Sequence, residues 1–308
     1  MVIAVKGKIH VLTVHFNTPR LTVDLVTSFP KLSPGGRQVE IHVLDNLSTA
    51  DNLQALLDGI SSVSNVHVEA NDKNVGFGGG VNILAAADSI TDDDTIWVLN
   101  PDTRMDARCL GELEDALDGN EYDIVSPLIY CGTPADRRVW FCGGSVTTSS
   151  MRVQHKFYGE DLAVVPMQPF ETEFITGAAP MMRLSTFRSI GGFPSKYFLY
   201  WEDTFFSWRA HELNFKLGVI PAARLWHAVG ASSGSGQSPT FYYWYARNRF
   251  TFASDIGFPR WRLIAGSGAP QSFRFIARAL MEREGRFSKM KEAARGTLTG
   301  LTHKTRNT

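Results

Sequence analysis

The sequence predicts an α/β protein with a central, mostly parallel sheet flanked by helices, followed by a basic helical tail. Through the first 127 residues, apolar segments of strand length alternate with segments that carry apolar residues at helical spacing. This alternation is typical of parallel strands joined by right-handed helical crossovers. Beyond Pro127 the pattern changes to shorter pieces that favour antiparallel pairing.

The organising strand is at residues 95–99, and it runs into Asn100, Pro101 and Asp102. Its continuous apolar and aromatic character suits the middle of a sheet covered on both faces. Because Pro101 cannot donate a ladder hydrogen bond, the strand must end there. Asp102 is then left at the carboxyl edge of the sheet, where open α/β sheets bind ligands and where a carboxylate can hold a divalent cation. The alternative is an ordinary turn that caps the next helix.

The other elements follow from the same periodicities. The segment at 9–16 is the first strand, and Asn17 or Thr18 caps a helix that begins at Pro19. A glycine-rich loop at 74–80 precedes the organising strand and enters a helix through Asn82. Further expected strands are at 39–44, 66–69, 124–125, 139–145, 152–158, 174–179 and 218–220, and further expected helices are at 53–60, 110–117, 186–190 and from 202 onward, with a small-residue, mobile loop at 230–238 and a helical tail from 241.

Composition limits the class of protein. The 308 residues are 44% hydrophobic and 20% charged, which is normal for a soluble globular protein. The cysteines, Cys109, Cys131 and Cys142, are odd in number and unpaired in spacing, so we expect no disulfide framework and a cytoplasmic location. Since no charged leader precedes an apolar run and no run reaches about 18 apolar residues, we expect neither a signal peptide nor a membrane span.

Charge is unevenly distributed along the chain. The net charge is zero, but residues 257–308 hold eleven Lys/Arg and three Asp/Glu, a net of +8 that the first 256 residues balance with −8. An acidic body with a basic tail indicates a tail that meets an anionic surface, such as a membrane or a phosphorylated partner. A solvated, charged helix is the equally open alternative.

Two motifs of the first half leave alternatives open. Asp45 ends the second strand and can accept hydrogen bonds from a nucleotide base or ribose, or it can cap the following helix. The glycine loop fails the dinucleotide fingerprint, because counting from Gly76 or from Gly78 leaves a non-glycine at the sixth position. We interpret it as a tight turn or as a close approach of backbone to a ligand.

The second half carries two further candidates. Glu202 and Asp203 lie at a helix start in an aromatic setting, where they can supply a general base or simply cap the helix. His227 follows a strand, and an isolated histidine is usually structural. If His227 and Asp102 met on one metal, the histidine would be a ligand.

In this order and spacing, the motifs resemble the family 2 inverting glycosyltransferases of GT-A fold, above all the bacterial branch of rhamnosyltransferases and galactofuranosyltransferases. The resemblance runs from about residue 9 to residue 250. Each motif is weak alone, and their succession makes the signal strong. The motifs are residues 15–17, 43–49, 71–82, 99–103, 175–178, 191–193 leading to 200–203, then His227 and residues 245–248.

The resemblance implies a role for each motif. Asp203, with Glu202 as the alternative, would deprotonate the acceptor hydroxyl, and Asp102 with His227 would bind Mg²⁺ or Mn²⁺. Asn100 replaces the first Asp of the family's Asp-x-Asp, so the metal has one charged ligand fewer. The expected acceptor-binding residues are Trp201 and Gly177, and the expected donor-binding residues are His15, Asn17, Asp45, Asn74, Gly76, Gly78, Asn82, Asn100 and Asp102.

The resemblance also implies partners and a domain plan. We expect a nucleotide-diphosphate sugar as donor, with dTDP-rhamnose first and UDP-hexose or UDP-galactofuranose next, and a glycan or lipid-linked acceptor of cell-surface polysaccharide. No nucleic acid partner is expected, and the tail would touch anionic membrane. Residues 1–250 would form the GT-A domain, with a nucleotide-binding half to 127 and an acceptor half from 128, and 251–308 the basic extension. A nucleotide-dependent oxidoreductase and a non-catalytic carbohydrate-binding relative are the alternatives.

Overall fold

A computed structural model describes residues 7–228 and 237–302 and confirms the α/β class. Each strand and helix is numbered in chain order. The strands are β1 (Ile9–His15), β2 (Val39–Asp45), β3 (Val66–Ala70), β4 (Thr95–Val98), β5 (Thr103–Met105), β6 (Ile124–Thr133), β7 (Asp136–Phe141), β8 (Gly144–Thr147), β9 (Arg152–His155), β10 (Phe170–Glu171), β11 (Met181–Arg183) and β12 (Leu217–His227). The helices are α1 (Pro19–Thr27), α2 (Ala50–Ile60), α3 (Gly76–Ala85), α4 (Cys109–Asp118), α5 (Leu184–Ile190), α6 (Glu202–Glu212), α7 (Pro239–Asp255), α8 (Arg262–Ala265), α9 (Ala269–Met281) and α10 (Arg286–Thr302).

Ten strands form one mixed sheet whose main order is β10-β12-β6-β11-β4-β1-β2-β3. The pairs β1–β2, β1–β4, β2–β3 and β6–β12 are parallel, as the alternation of strands and helices predicts. Strand β11 is antiparallel to both of its neighbours, and β8 with β9 makes a separate two-stranded sheet. One set of strands therefore runs in one direction, namely β1, β2, β3, β4, β6 and β12, and the opposite set is β5, β7, β10 and β11.

Both faces of the sheet are covered, which explains the continuous apolar strands. Helices α1, α2 and α4 bury one face through residues such as Leu25, Leu56 and Leu113. Helices α3, α5 and α6 bury the other through residues such as Val81 and Phe187. A strand between two apolar layers needs no polar face, so β4 is buried throughout.

Two predictions about the chain path are wrong. The expected glycine loop at 74–80 belongs mostly to a helix, because α3 already begins at Gly76. The expected strand at 174–179 is a loop, and the adjacent strand is Met181–Arg183. Most of the predicted loop at 230–238 lies outside the described residues.

The sheet brings distant strand ends to one edge. His15 at the end of β1 pairs with Asp45 at the end of β2. The turn after β4 leads into β5, which pairs antiparallel with the end of β12, so that Thr103 lies opposite His227. This pairing sets Asp102 next to His227, because Asp102 directly precedes Thr103, the ladder partner of His227.

The tail folds back on the body. Helix α7 continues past residue 250, where we expected the extension to begin, and α10 lies along it. The two helices approach so closely that a Cβ atom on Gly296 would lie 2.2 Å from the Tyr243 carbonyl oxygen. Among residues 7–228 and 237–302, no helix is long and apolar enough to cross a membrane.

Candidate active site

A cleft of about 430 Å³ opens at the carboxyl edge of the sheet. It lies between the turn after β4, the loop before β11, the start of α6 and the start of α7. A cavity of this volume is within the range of small-molecule sites. The predicted site residues that line it are Asn100, Asp102, Gly177, Trp201, Glu202, Asp203 and His227.

Asp102 and His227 form the first functional group of the cleft. The Oδ1 atom of Asp102 lies 3.1 Å from Nε2 of His227, and both side chains are largely buried. The Trp140 ring packs edge-on against the imidazole, with ring centroids 4.5 Å apart. Nδ1 of His227 is buried and has no hydrogen-bond partner among the described residues.

The donor set of this pair fits part of a divalent metal site. A carboxylate oxygen and an imidazole nitrogen suit Mg²⁺ or Mn²⁺, and 3.1 Å is a spacing that two adjacent ligands of one ion can take. Asn100 supplies a neutral amide where a second carboxylate would strengthen the site. Within the described ranges no group of three or more His, Cys, Asp or Glu side chains forms a complete cage. The remaining ligands would have to come from the substrate and water, as is usual for Mg²⁺ with phosphates.

Asp203 is held in place by three hydrogen bonds. Its Oδ2 accepts from the Gly177 backbone N–H at 3.0 Å, and its Oδ1 accepts from the Thr204 N–H at 2.7 Å and from the Thr204 hydroxyl at 3.3 Å. Removal from water raises the pKa of Asp203, and the backbone donors of Gly177 and Thr204, with His155 nearby, oppose the rise. The arrangement gives a fixed carboxylate that can accept a proton.

Glu202 differs from its neighbour although both carboxyls lie in the same turn. Its side chain is buried, and Oε2 has no hydrogen-bond partner among the described residues. Burial and the neighbouring Asp203 charge raise the pKa of Glu202 well above its usual range. Like charges cannot both ionise cheaply in such a site, so the environment favours the proton on Glu202 and the charge on Asp203, whose carboxylate accepts the hydrogen bonds.

The backbone before these carboxylates is strained. Tyr200 and Trp201 both adopt left-handed conformations, with φ of 66° and 75°. Each such residue costs of the order of 1 kcal/mol or more, so other contacts must hold the turn. Asn248 of α7 does so, because its amide donates to the carbonyls of Leu199 and Tyr200 at 2.8 and 3.0 Å. This gives the motif at residues 245–248 a positioning role that its sequence alone did not reveal.

Sequence reasoning missed two residues of the cleft, His155 and Trp140. Nδ1 of His155 donates to the Trp140 carbonyl at 2.9 Å, and its ring stacks on Phe174. Burial lowers the pKa of His155, so the ring is neutral and Nε2 is left as an acceptor in the cleft. These residues sit on β7 and β9, which carry no recognisable motif, so only the fold could place them.

The donor-side predictions fall at the ends of β1 to β3, beside the cleft. Asn17 is exposed and accepts hydrogen bonds from the Thr49 N–H and the Asn52 amide. His15 and Asp45 are buried, with Nε2 and Oδ1 3.8 Å apart, and Ser48 N–H donates to the second carboxylate oxygen. Asp45 is 2% exposed, so little of its carboxylate faces solvent. The cap of α2 is Thr49, not Asp45.

The glycine segment holds protein rather than forming an open cradle. Gly76 has φ of 77°, and a Cβ there would lie 2.0 Å from the Phe198 carbonyl oxygen, which accepts a hydrogen bond from Phe77. A Cβ on Gly78 would lie 2.8 Å from Cβ of Phe193. The sequence left a tight turn or a close approach of backbone to a ligand as the two interpretations of this segment. The backbone does make a close approach, but to the loop that carries Tyr200 and not to a ligand.

Three predicted site residues have most of their polar atoms or their ring engaged by protein. Asn74 accepts from the Asn46 amide and from the Gly76 N–H, and Asn46 was not predicted. Asn82 makes two hydrogen bonds to the Phe193 backbone, and the structure does not bring it into the cleft. The ring of Trp201 is 2% exposed and packs on Tyr245 and Phe252, so little of it faces a ligand.

The fold and the paired carboxylates define the class of protein as a transferase of GT-A type. The model of the family described as Glycosyl transferase family 2 matches residues 11–190, more than half of the chain. The chain therefore belongs to glycosyl transferase family 2, and the recognition made from the motifs is confirmed.

Two curated relatives are similar over most of their length. The N-acetylglucosaminyl-diphospho-decaprenol L-rhamnosyltransferase of Mycobacterium tuberculosis is 24% identical over 288 residues, which covers 83% of this chain and 89% of that protein. The low-salt glycan biosynthesis hexosyltransferase Agl10 of Haloferax volcanii is 25% identical over 221 residues, covering 70% of this chain and 68% of that protein.

Solved structures share the fold at lower identity. GalNAc-T7, solved with UDP, GalNAc and Mn²⁺, superposes with a TM-score of 0.62 at 17% identity over 83% of this chain, which spans only 55% of that structure. The mannosyltransferase PcManGT of Pyrobaculum calidifontis, solved with GDP-Man and Mn²⁺, gives a TM-score of 0.57 at 11% identity over 98% of this chain and 89% of that one. Both confirm the GT-A-like architecture.

Proposed function

We propose that this protein is an inverting glycosyltransferase that moves a sugar from a nucleotide-diphosphate donor to an acceptor hydroxyl. The observation that carries the proposal is the cleft itself, which holds a fixed carboxylate, Asp203, and a separate Asp102–His227 pair. One group is suited to remove a proton, and the other to stand beside a diphosphate. The transfer needs both functions in one cavity.

The chain's own residues act on the acceptor. Asp203 accepts the proton of the acceptor hydroxyl while that oxygen forms a bond to the anomeric carbon. The bond from this carbon to the diphosphate oxygen breaks on the opposite face, so one displacement inverts the carbon. The hydrogen bonds from Gly177 and Thr204 keep Asp203 oriented, and protonated Glu202 adds no second negative charge. Asp203, with Glu202 as the alternative base, is thus our proposed catalytic residue.

Asp102 and His227 are the proposed holders of Mg²⁺ or Mn²⁺, with Asn100 beside them. Such an ion, when bound, neutralises charge on the leaving diphosphate. The presence of Mn²⁺ in the solved structures of GalNAc-T7 and PcManGT supports this choice. With a single carboxylate on this chain, the ion should bind weakly until the diphosphate adds its oxygens.

The donor base and ribose are proposed to lie over the ends of β1 to β3, near Asn17 and Asp45. In this proposal residues 1–127 bind the nucleotide and residues 128–250 bind the acceptor. We put dTDP-rhamnose first, which the name of the Mycobacterium tuberculosis relative supports, and UDP-hexose or UDP-galactofuranose next. The same name supports a lipid-linked acceptor. We further propose that this acceptor belongs to a cell-surface glycan and is reached from the cytoplasmic face, with residues 251–308 in contact with anionic membrane.

Thermal stabilisation tests the donor site first, because a ligand of the native state raises the melting temperature by mass action. The protein is scanned with UDP, dTDP, GDP and NAD, each with and without Mn²⁺. We expect a manganese-dependent shift with dTDP or UDP that Asp102→Ala abolishes. A shift with NAD alone would support an oxidoreductase. Retained glycan binding by an Asp203→Asn variant, together with no transfer by the wild-type protein, would support a binding relative.

A further inference from the structure

The outer face of α9 is apolar and unpartnered. Phe273, Ala277 and Leu280 recur at the spacing of one helical stripe, and Met281 adjoins it. Phe273 is 63% exposed, Met281 84%, and Phe287 at the start of α10 66%. Large apolar side chains this exposed, on one side of a helix pair, normally mark an interaction surface.

The charges around this stripe are mostly positive, although the exposed Glu284 lies between two of the arginines. Arg274 and Arg278 flank it on α9, Arg283 follows in the turn, and Arg286 begins α10. Within the described ranges none of the four arginines forms an ion pair with a carboxylate. The nearby Glu282 is already engaged, since it accepts hydrogen bonds from the Tyr242 hydroxyl and from Lys289. The surface is thus positive, with an apolar centre.

The inner face of α9 packs against the wall of the cleft. The Phe275 ring contacts the Phe241 and Tyr245 rings at centroid distances of 5.9 and 5.1 Å, and both of these α7 residues line the cleft. The outer stripe of α9 therefore lies behind the cleft wall by about 10 Å, the diameter of one helix. Whatever the stripe touches is brought within a short distance of the catalytic residues.

From these observations we infer that the α9 face is a membrane-docking surface that inserts Phe273, Leu280, Met281 and Phe287 among the lipids of an anionic bilayer. An apolar stripe edged with arginine is the pattern of helices that lie in the membrane interface. The arginines would contact lipid phosphates, and the apolar side chains would enter the acyl boundary. The inference deepens the proposed function, which already brings residues 251–308 to anionic membrane, by naming the surface that inserts. It rests on that function because a lipid-linked acceptor explains why the surface adjoins the cleft.

Vesicle binding of the full-length protein tests the inference. Sedimentation with phosphatidylcholine vesicles is compared with sedimentation with vesicles that also contain phosphatidylglycerol. We expect binding only when the anionic lipid is present, and weakening at high salt because the attraction is screened. Changing Phe273→Gln together with Arg274→Gln should weaken binding about tenfold or more, since one apolar anchor and one charge are lost.

A matched variant controls for charge and hydrophobicity elsewhere. Lys31→Gln with Leu32→Gln also removes one positive charge and one exposed apolar side chain, from the loop between α1 and β2. It should bind vesicles like the wild type. A second test variant, Arg283→Gln with Arg286→Gln, changes only exposed residues and covers the case in which the first does not fold.

Equal vesicle binding by wild type and both test variants, or no vesicle binding at all, would overturn the inference. Self-association of the wild-type protein that the α9 variants abolish would assign the face to a second copy instead. Failure of the proposed function is separately visible, because nucleotide-dependent thermal shifts are measured without vesicles. The α9 variants should keep those shifts.

Discussion

Asp102 and His227 lie 125 residues apart in the chain, yet Oδ1 of one is 3.1 Å from Nε2 of the other. The short antiparallel pairing of β5 with the end of β12 creates this contact. If the pair holds a divalent ion together with a diphosphate, removal of either residue should weaken binding of the ion more than binding of the nucleotide.

We predict that His227→Ala raises the Mn²⁺ concentration needed for the nucleotide-dependent thermal shift by about 10- to 100-fold, the usual cost of losing part of a metal site. Asp102→Ala should do the same or more, since it removes the only carboxylate of the pair. The measurement is a Mn²⁺ titration of the melting temperature at fixed nucleotide. A Gln54→Ala variant, which changes an exposed residue outside the cleft, should leave the Mn²⁺ midpoint unchanged, and a shifted midpoint there would argue against the assignment.

Substitutions of the two consecutive acidic residues, Glu202 and Asp203, should affect the transfer activity to different extents. We predict that Asp203→Asn lowers kcat by about 10²- to 10⁴-fold, the contribution typical of a general base, while nucleotide binding persists. Glu202→Gln should retain much more activity, because burial and the Asp203 charge raise the pKa of Glu202 and so favour its neutral form. Steady-state transfer rates check both variants. Equal losses in the two, or a larger loss in Glu202→Gln, would transfer the role of base to Glu202.

Asn248 is predicted to stabilise the strained turn rather than to touch substrate. Asn248→Ala removes the donors to the Leu199 and Tyr200 carbonyls and should cost about 1–3 kcal/mol of unfolding free energy. It should also lower kcat, because Tyr200 and Trp201 position the start of α6. Denaturant unfolding and transfer rates measure the two effects. The exposed Gln54–Asp58 hydrogen bond provides a control, and Gln54→Ala should change neither quantity appreciably.

A buried histidine pair predicts how stability depends on pH. Nδ1 of His10 lies 2.9 Å from Nε2 of His42, and burial lowers the pKa of His42 from 6.5 to about 4 and also lowers the pKa of His10. Between about pH 6.5 and pH 4 the unfolded chain binds more protons than the folded one, so stability is present above this window and is lost as pH falls through it. Asp94 and Glu40 favour the charged form of His10, and Lys8 opposes it.

The free energy of unfolding should therefore decline less between pH 6.5 and pH 4 in His42→Gln than in the wild type. The difference should be up to about 3 kcal/mol, since one pKa unit corresponds to about 1.4 kcal/mol. Urea unfolding at several pH values measures the slope. His211 on α6, which makes no contact with the pair, provides the comparison, and His211→Gln should keep the wild-type slope. An unchanged slope in His42→Gln would show that carboxylates elsewhere dominate acid unfolding.

Strand ends were the most predictable part of the site. The proline after β4 and the carboxylate at the end of β2 placed Asp102 and Asp45 at one edge, because parallel strands share their carboxyl ends, whereas His15 was added by the family resemblance. The helix at Glu202 and the strand before His227 were also predictable from local patterns. The glycine segment was not, since glycines usually break helices, and here the helix forms because only glycine permits the approach of Phe198, Phe193 and Val14.

The sequence by itself determined the alternation of strands and helices, the family and the carboxylates that the chemistry would use. These depend on local periodicity and on residue type, which are written in the chain. Only the tertiary structure decided that Asp102 meets His227, that His155 and Trp140 enter the cleft, that Asn82 leaves it, and that α9 turns Phe273 outward. Those outcomes depend on pairing and packing between segments far apart in sequence, and no local pattern encodes which distant residues will share a surface.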